Sequence, residues 1–127
     1  MQDLTTFPNF AHRMRKIITY GGYFEAFIST LTERERRKVD YIISLLATQK
    51  RLPTKFIKHL TDGLYELRMM WESNIYRVFF IFDEGNIVVL FNGFQKKTQK
   101  TPQSEIYKAL KIKEAYYADK QSSDQRL

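Results

Sequence analysis

The sequence predicts one α+β domain, two layers deep, with an antiparallel twisted sheet, two N-terminal helices and a C-terminal helix. Three observations carry this. Residues 64–70, 75–82 and 86–92 (LYELRMM, IYRVFFIF, NIVVLFN) are rich in aromatic and β-branched residues, and only hairpin-length breaks separate them. Upstream, Thr32 and Glu35 frame a capping box ahead of an apolar stripe. Downstream, Thr101-Pro102 reads as a cap followed by proline at the first position of a last helix. A length of 127 residues suits one domain, and 43% apolar residues allow a core without covalent staples. There is no cysteine, so disulfides and thiolate metal sites are excluded.

Taken in order, residues 1–15 show no sustained period and read as an N-terminal extension. Residues 16–20 (KIITY) are β-rich, and Gly21-Gly22 ends them, which predicts a first strand. Residues 23–31 (YFEAFISTL) read as a short helix. The capped helix follows, with Val39, Ile42, Ile43 and Leu46 at i, i+3, i+4, i+7 spacing, and Pro53 closes it. Residues 55–63 (KFIKHLTDG) read as a loop with alternating bulk and charge. The three-strand meander comes next, then a basic loop over residues 95–100 (QKKTQK). The last helix is expected to end near Tyr117, leaving residues 119–127 as a flexible tail and residues 16–118 as the folded domain. The order is β-α-α-β-β-β-α.

The balance of 21 basic against 14 acidic residues gives a formal charge of +7. That excess favours a polyanionic partner, because lysine and arginine neutralise phosphates and release counterions. No apolar run approaches the roughly 20 residues of a membrane span. The first 20 residues lack the apolar block of a signal peptide. The expectation is a soluble cytoplasmic protein with no membrane partner.

Strand alternation locates the candidate site. In residues 64–70, Glu66 and Arg68 share one face; in residues 75–82, Arg77 points opposite to Tyr76, Val78 and Phe80. A turn at Glu72-Ser73 places residue 68 across from residue 77. Like charges placed opposite are destabilising in a bare sheet, so a phosphate between the two arginines would explain them. The alternative is that Glu66 neutralises one and both are ordinary surface residues. On the exposed-face reading, Arg77→Ala is expected to fold normally yet lose activity. Lys96, Lys97 and Lys100 in the late loop either add cations to the same end of the sheet or are simply solvated. Lys55, Lys58 and His59 are placed to line the other side of the same concavity. Tyr107, at the start of the last helix, either reaches an RNA phosphate or packs at the rim, and Trp71 either stacks on a base or is partly buried. His12 and His59 are far apart in sequence and no acidic cluster has ligand spacing, so no metal site is expected.

The stretches LYELR (64–68), IYRVFF (75–80), NGFQKKTQKTP (92–102) and SEIYKAL (104–110) resemble the phage-derived HigB-type branch of the RelE superfamily of toxins. With the weaker match at FIKHL (56–60), the resemblance covers roughly residues 16–118. It implies a RelE-like fold and an mRNA endonuclease that works at the ribosomal A site and needs no cofactor. It also implies a cognate antitoxin, in this branch usually a helix-turn-helix, HigA-like protein. Basic residues on the second and third meander strands and in the late loop polarise the scissile phosphate in such proteins. Those roles fall by position on Arg68, Arg77 and Lys96 or Lys97, with Tyr107 at the family's tyrosine. Lys55, Lys58, His59, Glu66 and Lys100 complete the expected RNA-facing set. Several relatives use a late histidine, and this sequence has none after His59. The proton-transfer groups therefore stay open between Tyr107, Glu66 and a lysine of lowered pKa, and a non-catalytic binding module of the same fold remains the alternative.

Overall fold

The structure, a computed structural model, describes residues 4–6, 14–96 and 100–125. In chain order the elements are β1 (Leu4–Thr6), β2 (Lys16–Thr19), α1 (Tyr23–Ile28), α2 (Glu33–Thr48), β3 (Arg51–Pro53), β4 (Ile57–Thr61), β5 (Leu64–Trp71), β6 (Asn74–Asp83), β7 (Ile87–Lys96) and α3 (Gln103–Gln125). A five-stranded sheet runs β2-β7-β6-β5-β4, and β1 pairs separately with β3. The expected α+β class is therefore observed. The meander β5-β6-β7 is antiparallel, as the short breaks predict, while β2 joins the far edge in parallel with β7.

Helix α2 begins where the capping box places it. The Glu35 backbone N–H donates to the Thr32 hydroxyl at 3.2 Å, and the Thr32 N–H donates to the Glu35 carboxylate at 2.8 Å. Its stripe of Val39, Ile42 and Leu46 is fully buried. With Phe27 of α1 it packs on the sheet face made by Leu67, Met69, Tyr76, Val78, Phe80, Val88 and Leu90. Trp71 packs against this cluster too, so it follows the burial reading.

Residues 55–63 correct one expectation. They hold an edge strand, β4, with Ile57 opposite Leu67, Lys58 opposite Glu66 and His59 opposite Tyr65. Its burial runs from buried Ile57 through exposed Lys58 and His59 to half-buried Leu60 and Thr61, so the segment carries no clean period-two signal. Charged residues on an outer strand discourage pairing with another sheet.

The end of α2 shows another difference. The helix stops at Thr48, ahead of Pro53, and Arg15 closes it. One terminal nitrogen of Arg15 donates to the Leu46 carbonyl at 2.9 Å and to that of Gln49 at 2.6 Å; the other reaches Lys50 at 3.3 Å. A cation on the last carbonyls of a helix satisfies orphan acceptors and complements the helix dipole. Arg15 is 5% exposed, so it belongs to the folded body rather than to an extension. Arg15→Ala is expected to lower stability by about 2–3 kcal/mol, because it strips charge-assisted bonds from buried carbonyls. A denaturant melt measures this, and an unchanged midpoint would show that water replaces the guanidinium at no cost.

Helix α3 lies on the opposite face. Ala109 and Ile112, flanked by Ile106, Leu110 and Tyr116, pack on Leu64, Phe79, Ile81, Val89 and Phe91. It continues to Gln125, beyond the Tyr117 predicted as its end. The reason is long-range polar contact. Lys120 donates to Asp83 at 2.8 Å, the Tyr116 hydroxyl donates to the same carboxylate oxygen at 2.6 Å, and Tyr20 donates to Asp119. Burial alone would raise the Asp83 pKa; the hydrogen bonds from Lys120 and Tyr116 outweigh it and hold the carboxylate below its ordinary value. Among the described residues, no helix is long and apolar enough to cross a membrane.

One irregularity positions the site. Along β6 and β7, Phe80 faces Leu90 and Ile81 faces Val89, but Val78 faces Gly93 and Ile75 faces Lys96. An extra residue therefore enters β7 at Phe91-Asn92, which together face Phe79, a β-bulge. A Cβ at Gly93 would meet the Phe27 ring at 2.5 Å, so only glycine lets α1 sit this close. The strand predicted to end at Asn92 runs on to Lys96, which is thus a strand residue and not part of the late loop.

Candidate nucleic-acid interface

Helix α3 covers only part of its sheet face. The remainder, toward the β5-β6 turn, carries Glu66, Arg68, Arg77 and Lys96. Glu72 in the tight turn takes a left-handed φ of 55°, and the register that follows sets Arg68 directly across from Arg77. The predicted pairing is therefore observed.

Glu66 holds the two arginines. Its Oε1 lies 2.7 Å from Nε of Arg77 and 3.1 Å from Nε of Arg68. Its Oε2 accepts a 2.6 Å hydrogen bond from the Thr101 hydroxyl, which ties the head of α3 to the cluster. Glu66 is 0% exposed with both oxygens engaged. It faces the arginines and not a ligand, which corrects its expected place among the RNA-facing residues.

Arg77 is 6% exposed, and Nη1 donates to its neighbour's Tyr76 carbonyl at 3.0 Å. Its Nε contact with Glu66 is a close ion pair without hydrogen-bond alignment. Burial depresses its pKa, Glu66 opposes that shift, and Arg68 adds to it. Arginine keeps its charge under such pressure. The expectation that Arg77 lies on an exposed face, and that Arg77→Ala folds normally, is therefore corrected. Arg68 is the outward member of the pair, with a side chain 30% exposed. Its Nε is taken by Glu66, and its two terminal nitrogens have no hydrogen-bond partner among the described residues.

Lys96 reaches the same face from β7 and is 5% exposed. Its pKa is lowered, first by burial and then by Arg77; Arg68 and Lys58 push the same way, and Glu66 opposes them. Lys58 projects on this face because it sits across from Glu66. One carboxylate thus stands among four cations, an arrangement short of negative charge. Buried, fixed donors around such a deficit suit an incoming phosphate, since little reorganisation is needed when it arrives.

The other predicted residues divide. Lys55 lies beside the cluster, with its amine 4.9 Å above the Phe56 ring. His59 is on the opposite sheet face, 5.0 Å from the Tyr65 ring, so it does not line this concavity. Tyr107 is 63% exposed on the outward side of α3; its neighbour is Lys111, 5.3 Å from its ring, and among the described residues no contact links it to the arginines. Lys100 is exposed at the approach to α3. Lys97 lies outside the described residues. Thr101 was legible only as a cap; its reach to Glu66 spans 35 positions and leaves no local signal.

Helices packed on a mostly antiparallel sheet, with a cluster of cations around one buried carboxylate at one end, define a small basic α+β protein. The chain belongs to the phage-derived protein Gp49-like family, whose pattern matches residues 26–114, and this family is toxin-like and related to RelE. Comparison with curated proteins gives no match.

Proposed function

We propose that the protein is a ribosome-dependent mRNA endonuclease, the toxin of a toxin–antitoxin pair of the HigB-like branch. The observation that carries this reading is the pair Arg68 and Arg77, locked by buried Glu66 beside Lys96. The ribose 2′-hydroxyl attacks its neighbouring phosphorus. The 2′-O–P bond forms, the P–O5′ bond breaks, and a 2′,3′-cyclic phosphate and a 5′-hydroxyl end result. Arg68 meets the non-bridging oxygens with its outward nitrogens, and Arg77 supports the developing charge from behind. Lys96, with its lowered pKa, protonates the departing 5′-oxygen. Burial and full engagement remove Glu66 from that role, and the outward position of Tyr107 argues against the tyrosine. The 2′-hydroxyl proton leaves to water; with no strong base at the cluster among the described residues, the ribosome must hold the mRNA in line for attack. Lys58, Lys55, Lys97 and Lys100 hold backbone phosphates. The protein then works in the cytoplasm, restrained by a helix-turn-helix antitoxin of the HigA kind.

Induction in a bacterial host tests this. Growth is expected to arrest, and translated mRNAs are expected to acquire new 5′-hydroxyl ends inside codons, while naked RNA stays intact. Normal growth with no new ends would refute the proposal.

A further inference from the structure

Beside the arginine pair, where β4 stops and β5 continues as a sheet edge, a cleft of about 410 Å³ opens around that edge, with Lys38 of α2 also lining it. That volume falls within the roughly 300–1,000 Å³ of small-ligand pockets. Its apolar wall includes Phe56 and Met70, and Met70 is 58% exposed, unusual for a large apolar side chain beside a charged cluster. Among the described residues its polar side chains are Lys38, Lys55, Arg68 and Arg77, each of them a hydrogen-bond donor.

We propose that this cleft seats the nucleobase next to the phosphate held by Arg68 and Arg77, and that it prefers the keto bases, guanine and uracil, over adenine and cytosine. The inference rests on the reading of the arginine face as an RNA phosphate site. An aromatic ring and a thioether offer a flat, polarisable seat for a base of any kind. The lining selects among bases by what their edges present. Guanine offers O6 and N7, and uracil offers O4, which are acceptors for lysine or arginine. Adenine and cytosine place an exocyclic amino donor at the edge position where guanine and uracil present the keto oxygen, so that the amino group meets cationic side chains. Because Arg68 and Arg77 line the cleft, a base seated there lies beside the phosphate they hold.

Nuclear magnetic resonance with ¹³C-labelled methionine methyls reads the Met70 methyl directly. Titration with GMP, UMP, AMP and CMP is expected to move that resonance with half-saturation about tenfold lower for GMP than AMP and for UMP than CMP. That is the change expected from one charge-assisted hydrogen bond kept or lost. Lys38→Gln combined with Lys55→Gln introduces amide acceptors and is expected to erase most of the difference. Equal responses to the four nucleotides, or shifts that leave Met70 unmoved, would overturn the proposal. Mapping of mRNA ends separates the two claims. Cuts in mRNA together with equal nucleotide responses sink the base preference alone, whereas a keto preference without any cuts sinks the nuclease and leaves the base seat standing.

Discussion

Arg68→Ala is expected to lower cleavage of ribosome-bound mRNA by about 10²–10³-fold while the protein keeps its fold. Its side chain is 30% exposed and holds Glu66 through one 3.1 Å contact, so its stability loss should be near 1 kcal/mol. Its terminal nitrogens are the outward donors of the pair, and loss of one preorganised donor to a transition-state oxyanion costs about 2.7–4 kcal/mol. Single-turnover cleavage on programmed ribosomes, with a melt of the same sample, separates the two effects. Wild-type cleavage by a folded Arg68→Ala protein would take this arginine out of the chemistry. Arg77→Ala is a blunter probe. Arg77 is nearly buried, 2.7 Å from a buried carboxylate, and removing one partner of such a pair costs about 3–5 kcal/mol.

The second large effect belongs to Glu66→Gln. The change keeps the shape and leaves an oxygen to accept from Thr101, but it removes the charge that separates two facing arginines. Arg77 and Lys96 then lie buried without that anion, and a loss of about 3–5 kcal/mol in stability is expected. The sign of the accompanying pH effect follows from Lys96. Glu66 raises the Lys96 pKa against the depression by burial and Arg77. Its neutralisation therefore lowers that pKa further. If Lys96 must be protonated to release the 5′-oxygen, the alkaline fall in cleavage moves to lower pH in Glu66→Gln. An unshifted pH profile in a folded variant would remove Lys96 as the proton donor, whatever happens to stability.

The sequence made the Arg68–Arg77 pairing legible because two local rules suffice for it: the length of the turn at Glu72-Ser73 and the two-residue period of a strand. The capping box at Thr32 was readable for the same reason, since its hydrogen bonds close over three residues. Where contacts span the chain, the pattern gave out. Nothing near Arg15 signals that it will close a helix whose last carbonyls lie more than 30 positions away. The polar composition after Tyr117 reads as a tail until Asp83 supplies partners for Tyr116 and Lys120. Arg77 looks exposed by alternation alone; its burial depends on Glu66, and on Thr101 arriving from the head of α3.

Lys96 was misplaced for a subtler reason, and it shows how the inserted residue at Phe91-Asn92 divides labour along one strand. Before that point, even-numbered Val88 and Leu90 enter the core under α1 and α2; after it, even-numbered Phe94 and Lys96 face the other way, Phe94 stacked on Phe79 and Lys96 beside the arginines. A parity change lets one continuous ribbon serve as scaffold at one end and chemistry at the other. Which side a cation occupies is thus written in the number of residues that precede it, so a one-residue length change in a relative would relocate the lysine to the opposite layer while every amino acid around it stayed the same.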